Sequence, residues 1–208
     1  MGEEVRPMIL QTRLPEFQLL TTGSEDDFQK SPIGADPEAR LAQVGKVMTS
    51  LEREGLDILI IDTAAGTEGV TADVLQHTHY VLIPQQAEPL GVRSLPRMLQ
   101  SLAGIKKRNP GLKIAGVLPT MVQPHKLASA ETLAEIHRIL PPSLITSVSI
   151  PRDDTFLEAS ERGVPVALLH RKPPASALVF DQLASEMEKR LQLPSDESPH
   201  ESSARLLD

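Results

Sequence analysis

The clearest chemical signal in the sequence is an aliphatic run that ends in an aspartate and then turns through small residues. It reads LDILIIDTAAG from Leu56 to Gly66. In a parallel α/β sheet, ligands bind beyond the carboxyl ends of the strands, which is where the Asp62 carboxylate would lie. A carboxylate there can hold Mg²⁺, and Gly66 would let a backbone N–H approach a phosphate with no side chain in the way. The alternative for Asp62 is an ordinary helix N-cap.

The elements that must position these residues follow from the hydrophobic pattern. Short apolar runs alternate with amphipathic stretches, which is typical of βαβ units and a parallel sheet. The run at 58–61 is aliphatic and rich in β-branched residues, so it predicts a central strand buried on both faces. Other strands are predicted at about 17–22, 80–83, 114–118 and 145–150. The three- and four-residue spacing of apolar side chains predicts helices at about 37–54, 90–107, 127–140 and 175–191.

Composition narrows the class of protein. The 208 residues suit one domain, which we place at 1–193, and the acidic, serine- and proline-containing stretch 194–208 is predicted to be a disordered tail. The absence of cysteine excludes disulfides and thiolate metal sites. No run approaches the roughly 20 apolar residues of a membrane span, so we expect a cytoplasmic protein without membrane contact. The net charge of −7 requires any nucleic-acid binding to come from a local basic cluster.

Four segments resemble the ParA/MinD family of P-loop ATPases, in the family's order and spacing. LIIDTAAG at 59–66 resembles the family's Walker B strand and second switch, and VLIPQQAE at 81–88 resembles the next strand and its exit. IAGVLPTM at 114–121 resembles a later strand, and IPRDDTFLEA at 150–159 with GVPV at 163–166 resembles the motif IPRNxxLAEAxxxGxP. The resemblance implies an α/β fold of three layers around a mostly parallel, doubly wound sheet, incomplete relative to the P-loop NTPases.

The resemblance also implies ATP and Mg²⁺ as cofactors. It assigns Asp62 to the magnesium shell, and it assigns four residues to the nucleotide: Gly66 at the γ-phosphate, and Thr120, Pro151 and Arg152 in the adenine pocket. Asp153 stands where many relatives have asparagine. A surface salt bridge is the alternative role for Arg152.

Further residues are implied at surfaces. Gln86 and Glu88 would lie near a homodimer interface, with plain loop polarity as the alternative. Arg162, Arg171 and Lys172 would contact DNA without sequence preference by neutralising phosphates. The histidines of His77-x-His79 have no nearby carboxylate or third histidine, so we expect no metal there.

One motif of the family does not occur in the sequence. There is no G-x-x-x-x-G-K-[ST] phosphate-binding loop, so we expect this chain not to hydrolyse ATP by itself, and no catalytic residue is assigned. Without the cysteines of the iron-cluster branches or the basic membrane helix of the MinD branch, the partition-type ParA branch fits best. That branch implies plasmid or chromosome partitioning by ATP-gated dimerisation on DNA with a ParB-like partner, at the nucleoid if DNA binding is retained. Two alternatives stay open: a nucleotide-free interaction or regulatory module, and a gene fragment without function.

Overall fold

The structure is a computed structural model that describes residues 9–12, 14, 16–20 and 30–193. The predicted tail at 194–208 lies outside these residues. The chain divides into two compact units, one of Met1–His79 with Gln100–Leu112, the other of Tyr80–Leu99 with Lys113–Asp208. In the described part of the chain, no helix is long and apolar enough to cross a membrane.

The first unit contains a β-hairpin and a helical cluster. Its elements are β1 (Ile9–Gln11), β2 (Gln18–Leu20), α1 (Pro32–Ala35), α2 (Pro37–Glu52) and α3 (Gly69–Leu75), and β1 pairs with β2 in antiparallel fashion. Helix α2 begins where the Asp36 carboxylate accepts the N–H of Glu38 at 3.0 Å. Arg40 on α2 binds the buried Asp73 carboxylate of α3 and also donates to the carbonyl of Gly34 in α1. This buried ion pair holds the three helices together.

The prediction of a buried central strand at 58–61 is wrong. Residues 56–64 have no regular secondary structure, and Ile58, Leu59 and Ile60 are 56%, 39% and 86% exposed. No backbone hydrogen bond of 56–63 to any described residue occurs. A segment forms a β-strand only when another strand pairs with it. The aliphatic composition of 58–61 indicates a high β-propensity, but it does not indicate whether a partner strand is present.

The second unit contains the parallel strands β3 (Tyr80–Gln86) and β4 (Lys113–Thr120), whose register runs from Leu82 opposite Gly116 to Gln86 opposite Thr120. Both strands, and the parallel α/β class, were expected from the sequence. The helices are α4 (Pro89–Arg108, which contributes residues to both units), α5 (Leu127–Ile139), α6 (Thr155–Arg162) and α7 (Ala175–Leu191). Short 3₁₀ turns span Pro142–Leu144 and Val166–Leu168. Helices α3 and α6 were not predicted from the hydrophobic pattern.

The strand predicted at 145–150 is reduced to two isolated parallel bridges, Val117 with Ile145 and Val122 with Pro151. The reason lies in β4, where Pro119 accepts the N–H of Ile150 at 2.9 Å but has no N–H to donate in return. The ladder is interrupted there. The segment still runs beside β4 and reaches its carboxyl end.

Candidate functional site

In the first unit, Asp62 lies in the segment 56–64 that has no regular secondary structure, and its side chain is exposed to solvent. Its carboxylate has no hydrogen-bond or ion-pair partner among the described residues. The N-cap alternative is wrong, because the helix that follows begins at Gly69 and is preceded by Glu68. The carboxylate is therefore exposed, and no side chain or backbone group of the described ranges occupies it.

Gly66 follows in a loop whose conformation requires glycine. Its φ is +106°, a value that residues with a Cβ rarely adopt, and the space around its Cα is open. The loop is held to α3 by the buried Thr71, whose hydroxyl donates to the carbonyl of Ala64 at 3.2 Å. The backbone at Gly66 is thus exposed and unobstructed. These are the conditions that its N–H needs in order to approach an oxygen atom of a ligand.

In the second unit, the structure brings Thr120, Pro151 and Arg152 together at the carboxyl ends of β3 and β4. Thr120 ends β4, and its carbonyl accepts the N–H of Ala87, just after β3, at 2.9 Å. Pro151 bridges to Val122, and the N–H of Arg152 donates to the Val122 carbonyl at 3.0 Å. Backbone hydrogen bonds therefore fix all three positions.

The Arg152 guanidinium lies 3.6 Å from the Glu88 carboxylate, and both side chains are about half exposed. An exposed pair of this kind contributes at most about 1 kcal/mol, so a ligand can displace it. The salt bridge that was the alternative role of Arg152 is present. Gln86, the exposed last residue of β3, lies at the same end of the sheet.

The Asp153 side chain forms hydrogen bonds at the start of α6. Its carboxylate accepts the backbone N–H of Thr155 at 2.9 Å and the Thr155 hydroxyl at 2.7 Å, at the start of α6. The same hydroxyl lies 2.7 Å from that of Ser176 on α7. These bonds to the backbone N–H and the hydroxyl lower the pKa of Asp153. Asp153 thus serves at the start of α6, where an asparagine oxygen could accept the same two hydrogen bonds.

A close contact between β3 and α4 was missed from the sequence. A Cβ at Gly91 would lie 2.5 Å from the amide nitrogen of the buried Gln85 and 2.9 Å from the carbonyl of Gln86. The Gln85 amide in turn donates to that carbonyl at 3.1 Å. Only glycine lets α4 begin this close to the end of β3, and the signal in the sequence was a glycine two residues inside the predicted helix.

The basic residues do not form a uniform cluster. Arg162 donates to Glu158 at 2.7 Å, and His170 lies 3.8 Å from the same carboxylate. Arg171 and Lys172 are exposed and have no ion pair with any described residue. Two of the three side chains proposed to contact DNA therefore have no ion-pair partner in the part of the chain that the structure describes.

The two histidines of His77-x-His79 lie in different surroundings. His77 packs against Gly45 of α2 with its Nε2 buried and unbonded, whereas His79 is exposed. Among the described residues, no cluster of three or more His, Asp or Glu side chains could hold a metal. Asp62 offers one carboxylate, which fits Mg²⁺ that keeps its waters and takes its other ligands from phosphates.

Comparisons with known proteins agree with this architecture. A profile of the CobQ/CobB/MinD/ParA nucleotide binding domain matches residues 42–166. An uncharacterized protein of Pseudomonas putida is 32% identical over 144 residues, which are 69% of this chain and 54% of that protein. The chromosome-partitioning ATPase Soj of Thermus thermophilus is 25% identical over 172 residues, 80% of this chain and 68% of its own length. Protein IncC of Escherichia coli is 29% identical over 142 residues, 68% of this chain and 37% of its own length.

Two solved structures share the fold. Apo McdA of Cyanothece has a TM-score of 0.62 at 22% identity, over 88% of this chain and 70% of McdA. The cell division ATPase MinD of Pyrococcus furiosus has a TM-score of 0.61 at 19% identity, over 87% and 69%. This chain spans about half the length of the Pseudomonas relative. Because the domain profile covers more than half of the chain, and Soj and IncC are among its relatives, the chain belongs to the ParA/MinD family of P-loop ATPases.

Proposed function

We propose that this chain is the Walker B and adenine-binding portion of a partition ATPase that uses ATP and Mg²⁺ and works with a ParB-like partner. One observation carries the proposal: Pro151 and Arg152 are fixed by backbone hydrogen bonds beside the end of β4. Rigid backbone at the carboxyl ends of parallel strands is where nucleotides bind in such sheets. The relative named a chromosome-partitioning ATPase supports the biological setting.

In this proposal each residue acts within its own unit. Thr120, Pro151 and Arg152 form the wall for the base, with Arg152 exchanging Glu88 for the face of the adenine ring. Asp62 binds a water of the magnesium shell, and the N–H of Gly66 approaches a phosphate oxygen. Bound Mg²⁺ would neutralise phosphate charge, and the chain's own residues would bind and orient the nucleotide.

The same proposal limits what the 208 residues do unaided. Most of the positive field around β- and γ-phosphates comes from the amides and lysine of a phosphate-binding loop, and the sequence contains no such loop. We therefore expect weak nucleotide binding and no hydrolysis by this chain alone. ATP-gated dimerisation, with Gln86 and Glu88 near the interface, belongs to a form that has the loop.

Contact with DNA is proposed through Arg171 and Lys172. Both are exposed and unpaired within the described residues, whereas Arg162 is partly neutralised by Glu158. Two phosphate contacts per chain give weak, salt-sensitive binding that becomes useful only in a dimer. Such binding would place the protein at the nucleoid within the cytoplasm.

The competing function is a nucleotide-free interaction module, and the missing phosphate loop favours it. The test is an NMR titration of the purified chain with Mg-ATP, which follows the amides of 120–122 and 150–153. We expect saturable shifts that Arg152→Ala weakens about fivefold, roughly 1 kcal/mol, and that the matched control Arg171→Ala leaves unchanged. Absence of shifts at millimolar nucleotide would support the interaction module. Hydrolysis by the chain alone would contradict the predicted inactivity.

A further inference from the structure

Two hydroxyl groups lie behind Arg152 of the proposed adenine wall and connect it to α7. The Thr155 hydroxyl donates to Oδ1 of Asp153 at 2.7 Å, and the Thr155 N–H donates to the same oxygen at 2.9 Å. The Thr155 hydroxyl also lies 2.7 Å from that of Ser176, which is 5% exposed near the start of α7. Asp153 directly follows Arg152 in the sequence. Arg152 is therefore one peptide bond away from a chain of hydrogen bonds that ends at a buried side chain.

The direction of this chain of hydrogen bonds follows from the charge of Asp153. The hydrogen bonds from Thr155 lower the pKa of Asp153, so its carboxylate is ionised at neutral pH and can only accept. Thr155 has one hydroxyl hydrogen, which goes to Asp153, so Ser176 must donate to the Thr155 oxygen. Each hydroxyl hydrogen thus has an acceptor, and the order runs from Ser176 through Thr155 to Asp153.

Packing between the two helices holds the same contact in register. The rings of Phe156 and Phe180 meet edge to face, with centroids 6.1 Å apart. Such a pair contributes about 0.5–1.5 kcal/mol beyond the area that it buries. Phe156 follows Thr155, and Phe180 lies four residues after Ser176 on α7. The ring contact therefore fixes the start of α6 against the helix that carries the buried hydroxyl.

Arg152 lies between two anchors. Its N–H donates to the carbonyl of Val122 at 3.0 Å, and the residue after it is held by Thr155. Its side chain is 58% exposed and lies 3.6 Å from the Glu88 carboxylate, so this surface contact does little to fix it. A binding group has to be held to within about 0.5 Å by the groups behind it. Loss of the second anchor would leave Arg152 held by Val122 alone.

We propose that Thr155, backed by Ser176, is a positioning residue for the base: it holds Asp153 and thereby sets where Arg152 meets a bound adenine ring. The inference rests on the proposed function, because it concerns the same adenine wall. In it Thr155 touches no part of the nucleotide and affects recognition of the base but not of the phosphates. A plain helix cap, by contrast, would stabilise α6 without any preference between ligands.

The test compares two ligands that share phosphates but not the base. Mg-ATP and Mg-tripolyphosphate are each titrated into the purified chain while the amides of 150–153 are followed by NMR. Thr155→Val keeps the size of the side chain and removes the hydroxyl. We expect it to weaken Mg-ATP binding about fivefold and to leave any shifts caused by Mg-tripolyphosphate unchanged. Thr155→Ser, which retains the hydroxyl, should restore the Mg-ATP affinity.

A matched control and a second variant complete the set. The buried Thr132 hydroxyl donates to the carbonyl of Ala128 within α5, so Thr132→Val removes a comparable hydrogen bond elsewhere and should leave Mg-ATP binding unchanged. If Thr155→Val unfolds, Ser176→Ala serves instead. It removes the donor behind Thr155 and should weaken Mg-ATP binding about twofold.

A further measurement needs no nucleotide. The exchange rate of the Arg152 amide hydrogen in the free chain reports how firmly Arg152 is held at Val122. We expect exchange to be about threefold faster in Thr155→Val and unchanged in Thr155→Ser and Thr132→Val. Equal exchange in the wild type and Thr155→Val would overturn the inference whether or not a nucleotide binds.

The outcomes separate this inference from the proposed function. If the wild type binds Mg-ATP and Thr155→Val binds it equally well, the positioning role is wrong and the proposed function stands. If Thr155→Val weakens both ligands alike, Thr155 is a plain cap. If Mg-ATP causes no shifts in the wild type, the proposed function fails and the positioning role fails with it.

Discussion

Arg190 on α7 is the side chain whose removal we expect to disturb the proposed adenine wall most. Its guanidinium donates to the carbonyls of Ala115, Ser143 and Ile145 at 3.0, 2.9 and 2.7 Å, and to the Glu186 carboxylate at 2.7 Å. One cation thus ties β4 to the stretch that continues into Pro151 and Arg152. Arg190→Met keeps the apolar stem and removes every one of these bonds.

The expected cost follows from the bonds that are lost. A hydrogen bond to a charged group contributes about 1.5–3 kcal/mol when buried. The Arg190 side chain is 23% exposed, so water replaces part of the loss at the three carbonyls. We therefore expect a decrease of about 3 kcal/mol in the free energy of unfolding. Arg190→Lys should recover only part of it, because an ammonium cannot span the fork of a guanidinium.

Urea unfolding followed by circular dichroism measures this change. With a slope of about 2 kcal/mol per molar, a loss of about 3 kcal/mol lowers the midpoint by roughly 1.5 M. The matched control is Lys189→Met, since Lys189 is exposed and adjacent in sequence. Exchange of the Thr146 and Ile150 amides, which donate to β4, should also accelerate in Arg190→Met. A midpoint equal to that of the control would refute the role given to Arg190.

Two further predictions concern glycine substitutions and the titration of Asp153. Gly116→Ala places a Cβ 2.9 Å from Cγ2 of Thr146 and should lower the free energy of unfolding, measured in urea, by about 1–3 kcal/mol. Gly104→Ala, in open space on α4, should raise the free energy of unfolding by roughly 0.5–1 kcal/mol. Asp153, whose pKa is lowered from 3.8 by Thr155, should contribute stability that is present above pH 3.8 and is lost as the pH falls through the folded-state pKa. In an NMR titration, Thr155→Val should raise that pKa only part of the way, because the backbone N–H bond remains.

Local signals were enough to predict the four longest helices and strands β2, β3 and β4, whereas β1 was not predicted. Helix α7 occupies the predicted residues 175–191, and α2 ends within two residues of the expected position, because apolar spacing and glycine or proline breaks act within one turn. The strand prediction at 58–61 is wrong for a different reason. Its composition is that of a buried strand, but burial depends on a neighbouring strand that the described residues do not supply.

The candidate site, like the fold, was only partly predictable from the sequence. The resemblance assigned Thr120, Pro151 and Arg152 to an adenine pocket, and that role stays a prediction. Backbone hydrogen bonds and a bridge place the three residues near the carboxyl end of β4. Arg152 and Glu88 are far apart in sequence, so no local sequence pattern indicates that their side chains form an ion pair. The capping role of Asp153 depends on the start of a helix that the hydrophobic pattern did not reveal. The roles given to Asp62 and Gly66 stay predictions.

A proline interrupts the row of backbone donors along one edge of β3. Since the N–H of Ala87 donates to Thr120, the odd-numbered residues of β3 face β4 and the even-numbered ones face away. Pro84 therefore falls on the free edge of β3 and leaves a gap in its row of donors. Proline thus weakens pairing along the edge of β3 that no described strand occupies.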